Sequence, residues 1–133
     1  GVAARVYSVH LEHRGENEAL RTRQLLRVVA HARAAGVPAI VVGDCNARPD
    51  SPTLRTAYDA GYISAYAAAN GAEPAKTAPA GPAEAPGNTL DYVLAGPGTT
   101  VLDCGIAFAE PAPGRPGVFP SDHFGLAARL GIG

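Results

Sequence analysis

The stretch "VPAIVVGDCN" (residues 37–46) runs a continuous apolar segment into an Asp and an Asn one residue apart. An unbroken apolar run of this length marks a strand buried on both faces, as in layered α/β sheets. A carboxylate at the end of such a strand is costly to bury unless a cation, a hydrogen-bond network or a ligand meets it. The pair Asp44 and Asn46 therefore points to a site at the C-terminal end of a core strand.

Working upstream, "RVYSVHL" (5–11) alternates as a strand, with Val6, Ser8 and His10 on one face and Tyr7, Val9 and Leu11 on the other. Between the two strands, Asn17 stands where an N-cap is needed, and Glu18 supplies first-turn acidity. A helix is predicted from there to about Ala35, burying Leu25, Val28, Val29 and Ala32 and stopped by Gly36. Strand, helix and buried strand together predict an α/β layer arrangement.

Downstream, Ser51 is placed to cap a short helix with Pro52 in its first turn, ending near Gly61. Residues 67–87 are rich in Ala, Pro and Gly and predict an irregular, partly mobile loop. Two further strands, "TLDYVLA" (89–95) and "TVLDCGIAF" (100–108), are joined by the turn "GPGT". After the loop "EPAPGRPGVFPS" (110–121), the segment "DHFGLAARL" (122–130) predicts a last strand. No internal repeat or linker interrupts this order.

The length of 133 residues suits one domain, and the 47% apolar content suits an ordered core. A formal net charge of −1 gives no overall basic field for nucleic acid. Arg21, Arg23, Arg27 and Arg33 share the first helix and read as a solvated face rather than a phosphate-binding ridge. No apolar run approaches the ~18 residues of a membrane span. Cys45 and Cys104 lack metal-finger or CxxC spacing and read as buried free thiols. The chain has no Met and opens almost at once on a strand, which predicts a fragment or processed product.

Residues able to do chemistry recur where the strands begin or end: His10, Asp44, Asn46, Asp91, Asp122 and His123. Loops converge at strand ends while the sheet keeps them rigid, so active sites of layered proteins gather there. Asp44, Asn46 and Asp122 are hard oxygen donors suited to magnesium or manganese rather than a closed zinc site. His10 and His123 titrate near neutrality and can take or give a proton. Asp91 is an acidic partner able to hold one imidazole in a defined tautomer. This set describes metal-assisted cleavage of a phosphoester.

Four motifs, "VHLEH" (9–13), "VVGDCNARPDSP" (41–52), "LDYVL" (90–94) and "PSDHFGL" (120–126), occur in an order that resembles the endonuclease/exonuclease/phosphatase superfamily. This is the fold of DNase I-like nucleases, abasic-site endonucleases, tyrosyl-DNA phosphodiesterases, neutral sphingomyelinases and inositol polyphosphate phosphatases. The resemblance implies an α/β chain that forms part of a four-layer α/β/β/α sandwich. It would supply roughly the C-terminal half, with one mixed sheet and flanking helices. Residues 1–133 would then be the C-terminal portion of a single domain whose N-terminal portion lies elsewhere.

By the same resemblance His10 would bind and polarise the scissile phosphate. Asp44 and Asn46 would orient or deprotonate the attacking water and contact the metal, with Asp122 assisting. Asp91 would orient His123, itself the general base or phosphate-stabilising acid, and Cys45 would turn away into the core. The implied cofactor is magnesium, with manganese able to substitute.

The family's first half should bring an Asn on its first strand and a metal-binding Glu, and this sequence contains neither motif. A half-fold would expose the inner face of its sheet, so the implied partners are a missing N-terminal half or a complementary chain. The substrate would be a phosphate ester, with nucleic acid, phospholipids and inositol phosphates as candidates. "FPSDHFGL" and "LDCG" resemble the tyrosyl-DNA phosphodiesterase-like and bacterial secreted or periplasmic members most. The 67–87 loop carries Lys76 as its one cation and no aromatic stacking platform. Two alternatives stand beside the enzyme: a catalytically incomplete half-domain serving as a binding or structural module, and a calcineurin-like metallophosphatase. The latter would need "GNHE"-like and "GHxH" segments that the sequence lacks.

Overall fold

The computed structural model describes residues 3–82 and 85–133. The alternating segment forms strand β1 (Arg5–His10), and the helix α1 (Glu18–Ala34) carries the chain back to β2 (Ala39–Asp44). Helix α2 (Pro52–Asp59), a short strand β3 (Ile63–Ser64) and helix α3 (Ala65–Asn70) follow. Strands β4 (Asp91–Ala95), β5 (Thr99–Ala107) and β6 (Gly125–Ile132) complete the order.

Four strands form a mixed sheet in the order β1-β2-β4-β3, with β1 parallel to β2 and β4 antiparallel to both β2 and β3. A separate antiparallel pair, β5 and β6, forms a second sheet. The mixed sheet with flanking helices is as expected, whereas the long strands expected near the C-terminus leave it to make a ribbon of their own.

Each face of the mixed sheet has its own core. On one face Leu25 and Val29 of α1 and Leu54 and Ala57 of α2 pack on Val41, Tyr92 and Leu94, with Tyr7 and Val9 at the margin. Leu54 is fully buried, a position where truncation to Ala costs about 2–5 kcal/mol. On the other face Ile40, Val42 and Val93 pack against Ala65, Cys104, Leu126 and Leu130, from α3 and the ribbon. This cover stops short of the edge strand β1, where Val6 is 66% exposed.

Three expectations are corrected. Asn17 makes no side-chain capping bond, because a 3₁₀ turn (Gly15–Asn17) precedes α1 and draws Asn17 into a bent backbone. Ser51 does cap α2, accepting from the Leu54 N–H, with Pro52 at the first position. Residues 67–87 are not one irregular loop, since α3 extends to Asn70 and residues 76–78 are buried. Lys76 is turned inward, its Nζ donating to the carbonyls of Pro82 and Ala85. The last strand begins at Gly125, so Asp122 and His123 lie in the turn before it.

Candidate active site

Strand register assembles the site. Parallel pairing sets His10 opposite Asp44, and antiparallel pairing sets Asp44 opposite Asp91. The three residues form one row across the end of the sheet. Their neighbours Val9, Cys45 and Tyr92 belong to the helix-side core, so the period-2 alternation directs the row to the opposite face.

The Nε2 of exposed His10 is 3.6 Å from Asp44 Oδ2. The turn before β6 brings in His123, whose Nδ1–H donates to Asp91 Oδ2 at 2.8 Å and lies 3.9 Å from Asp44 Oδ2. A carboxylate can only accept, so this bond places the proton on Nδ1 and leaves Nε2 of a neutral ring as an acceptor.

Gly43 makes the row close. Its φ is +124°, and a Cβ there would collide with the Val9 carbonyl oxygen, so no other residue lets β1 and β2 meet at this point. Beyond Asp44, the Cys45 N–H donates to the Leu90 carbonyl, and the Cys45 side chain is 1% exposed in the core. Burial pushes its thiol up to about 12, which makes it unreactive. Cys104 is likewise buried and free.

Asn46 then adopts a left-handed backbone, φ +45°, which Asn tolerates better than most residues. Its N–H donates to Asp44 Oδ1 at 2.7 Å and its Nδ2 to the Leu11 carbonyl at 3.0 Å.

Burial raises the Asp44 pKa above the ordinary aspartate value, and Asp91 adds to this. The Asn46 N–H and the two imidazoles oppose the rise. Asp44, Asp91 and His123 offer ligand atoms all within 4.8 Å of one another. The carboxylates of Asp44 and Asp91 are hard oxygen donors of the kind a divalent cation takes. His123 Nδ1 is already committed to Asp91 and is a poor ligand in this state. Asp122 is exposed, its Oδ1 accepting from Ser121 Oγ, and it stands outside this group of three.

Several residues that build the site escaped the sequence reading. Thr77, fully buried, accepts at Oγ1 from the Leu90 and Asp91 N–H groups, and its carbonyl accepts from the Phe124 N–H. It thus ties the start of β4 to the turn that carries His123. Tyr92 Oη donates to the carbonyls of Ala47 and Thr89. Arg21, read as part of a solvated face, and Gln24 instead bond to the turn after β1. One signal was present: Arg21 precedes buried Leu25 by four positions, which puts it on the apolar stripe.

A model of the endonuclease/exonuclease/phosphatase family matches residues 2–123. Among solved structures, an endonuclease/exonuclease/phosphatase family protein from Bacteroides thetaiotaomicron is similar, with TM-score 0.78 and 18% identity. The match covers 94% of this chain and 48% of that one. The mannosyl-6-phosphatase of the same organism is similar at TM-score 0.77 and 17% identity, covering 96% of this chain and 51% of its own. TDP2 of D. rerio, complexed with a single-strand DNA product, gives TM-score 0.74 and 20% identity, with 96% and 56% covered. No curated protein matches the chain. The fold is therefore that of the DNase I-like proteins, and the chain spans about half the length of these structures.

Proposed function

The chain belongs to the endonuclease/exonuclease/phosphatase family, and from that premise we propose that it forms the C-terminal half of a magnesium-dependent phosphoesterase. The observation that carries this reading is the row His10–Asp44–Asp91 with His123 bonded above it. Membership replaces the calcineurin-type alternative.

In the proposed reaction a water oxygen attacks phosphorus, its proton passes to a base, and the bond from phosphorus to the leaving oxygen breaks. Asp44 and Asn46 orient the water. With Nδ1 tied to Asp91, His123 exchanges the proton at Nε2 or donates to a phosphate oxygen there. Exposed His10 binds the phosphate. Asp44 and Asn46 would hold the metal, and Asp122, expected from the sequence to assist, stands outside the cluster of Asp44, Asp91 and His123. A magnesium ion held there would neutralise charge at the phosphate and acidify a bound water, and manganese would substitute. The substrate is a phosphodiester or phosphomonoester, and inward-turned Lys76 leaves its loop little to offer a polyanion.

A second reading follows from the half-length match and from exposed Val6 on the uncovered part of the sheet. Here residues 1–133 act only when joined by a segment equivalent to the other half, and serve as a binding or structural module without it.

The test is hydrolysis of bis-p-nitrophenyl phosphate and p-nitrophenyl phosphate by the full-length protein, chelated and then resupplied with magnesium. Metal-restored turnover abolished by both Asp44→Asn and His123→Ala supports the enzyme. Turnover indifferent to both substitutions overturns the site. No turnover on any phosphate ester, with substrate or partner binding intact, favours the module.

A further inference from the structure

We propose that Arg21 and Gln24 of α1 are positioning residues that clamp the turn after β1 and, through the Leu11 carbonyl, aim the Asn46 amide. Its consequence for catalysis rests on the function proposed above; the clamp itself rests on geometry.

The two residues are three apart and so share a helix face. Arg21 Nη1 donates to the carbonyls of Glu12 and Arg14, at 2.9 and 3.1 Å. Gln24 Oε1 accepts from the Glu12 N–H at 2.9 Å. Glu12 is thus held at both its N–H and its carbonyl. The residue before it, Leu11, donates its N–H to the Asp44 carbonyl at 2.9 Å and accepts from Asn46 Nδ2. Leu11 thus bonds to both Asp44 and Asn46, and the bond from Asn46 Nδ2 sets the amide nitrogen, not Oδ1, against the Leu11 carbonyl.

The energetics argue against a purely stabilising role. Arg21 is 6% exposed, its Nε has no hydrogen-bond partner, and among the described residues no carboxylate pairs with it. A buried cation neutralised only by carbonyls costs desolvation that an apolar side chain of similar volume avoids. A donor left unsatisfied adds to that cost. What Arg21 gains in return is the geometry its bonds to Glu12 and Arg14 impose. The residue it holds, Glu12, is two residues from His10 and adjoins Leu11, whose carbonyl accepts from Asn46 Nδ2.

The experiment substitutes Arg21→Met and, separately, Gln24→Met, each close to its parent in volume, and follows the Asn46 side-chain amide by NMR. In both variants the Asn46 Nδ2 protons are expected to shift and to exchange with solvent about 10-fold faster or more. The kcat on bis-p-nitrophenyl phosphate should fall ~10- to 100-fold with KM nearly unchanged, the mark of a misplaced group. Arg21→Lys, which can still reach one carbonyl, should recover part of both effects. If Arg21→Met does not fold, Gln24→Met, which removes a single bond, decides the matter. An Asn46 amide signal unchanged in folded variants overturns the clamp. An amide that moves while Asn46→Ala has no effect on kcat upholds the clamp and overturns the catalytic role given to Asn46.

Discussion

His123 Nδ1 donates to Asp91 Oδ2 across 2.8 Å, joining the turn before β6 to the first residue of β4. The pair fixes the ring tautomer, so Asp91→Asn should invert it, since an amide N–H facing the ring requires Nδ1 to accept. On the proposed function, kcat should fall at least ~100-fold, as should that of His123→Ala. Steady-state rates across pH check this. An unchanged rate and pH profile in Asp91→Asn would remove the pair from the mechanism.

Thr77 spans the two ends of that bond. Thr77→Val keeps the shape but leaves the Leu90 and Asp91 N–H groups without their acceptor. Each loss is worth about 1–3 kcal/mol, so together they should lower the melting temperature by at least ~5 °C. Thr77→Ser keeps the oxygen and should lose much less. Paired thermal melts of the two variants decide it.

Gly43→Ala puts a Cβ against the Val9 carbonyl at a backbone angle L-residues avoid. The ends of β1 and β2 must then part, separating His10 from Asp44. The expected loss is at least ~2 kcal/mol, read as a lower urea midpoint. A midpoint equal to the parent's would contradict the close approach.

Glu73 carries a pH signature. Burial raises its pKa, partly offset by the bond it accepts from Ser64 Oγ. With the folded value above the unfolded one, Glu73 is neutral and harmless in acid, and stability is lost as pH rises through the folded value. Glu73→Gln should therefore match the parent's melting temperature in acid, at pH ~3, and exceed it near neutrality. A parent that is the more stable at neutral pH would refute the sign.

Metal binding should be acid-sensitive at the same time as it is selective. Burial keeps Asp44 above the ordinary aspartate range, so protons compete with a cation sooner than at a free Asp. After chelation, magnesium or manganese should restore activity, because the donors are hard oxygens. Restoration by zinc alone would point to the imidazoles as the metal's ligands. A calorimetric magnesium titration at two pH values tests the first claim, and metal reconstitution the second.

The alternation of residues 5–11, the unbroken run 37–42 and the Ser51–Pro52 helix start are local signals, and each element formed where it was expected. The chemistry-bearing positions His10, Asp44, Asn46, Asp91, Asp122 and His123 are singled out by residue type, strand ends and motif order, and the structure brings His10, Asp44, Asp91 and His123 together while Asp122 stands outside that group. The family resemblance implied that Cys45 turns into the core, where it is buried. What could not be read is whatever depends on pairing between distant segments. The register that sets His10, Asp44 and Asp91 in one row is a property of three strands together. The departure of β5 and β6 into their own ribbon depends on which sheet face they cover. Residues 71–82 carry no periodic pattern because what fixes them is single bonds to distant backbone, such as Thr77 to β4. Arg21 looked solvated because charge is a surface signal until a buried carbonyl claims it. Local propensity and periodicity are written in neighbouring residues and so survive in the sequence. Registers, and polar groups satisfied across long separations, exist only once the chain has closed on itself.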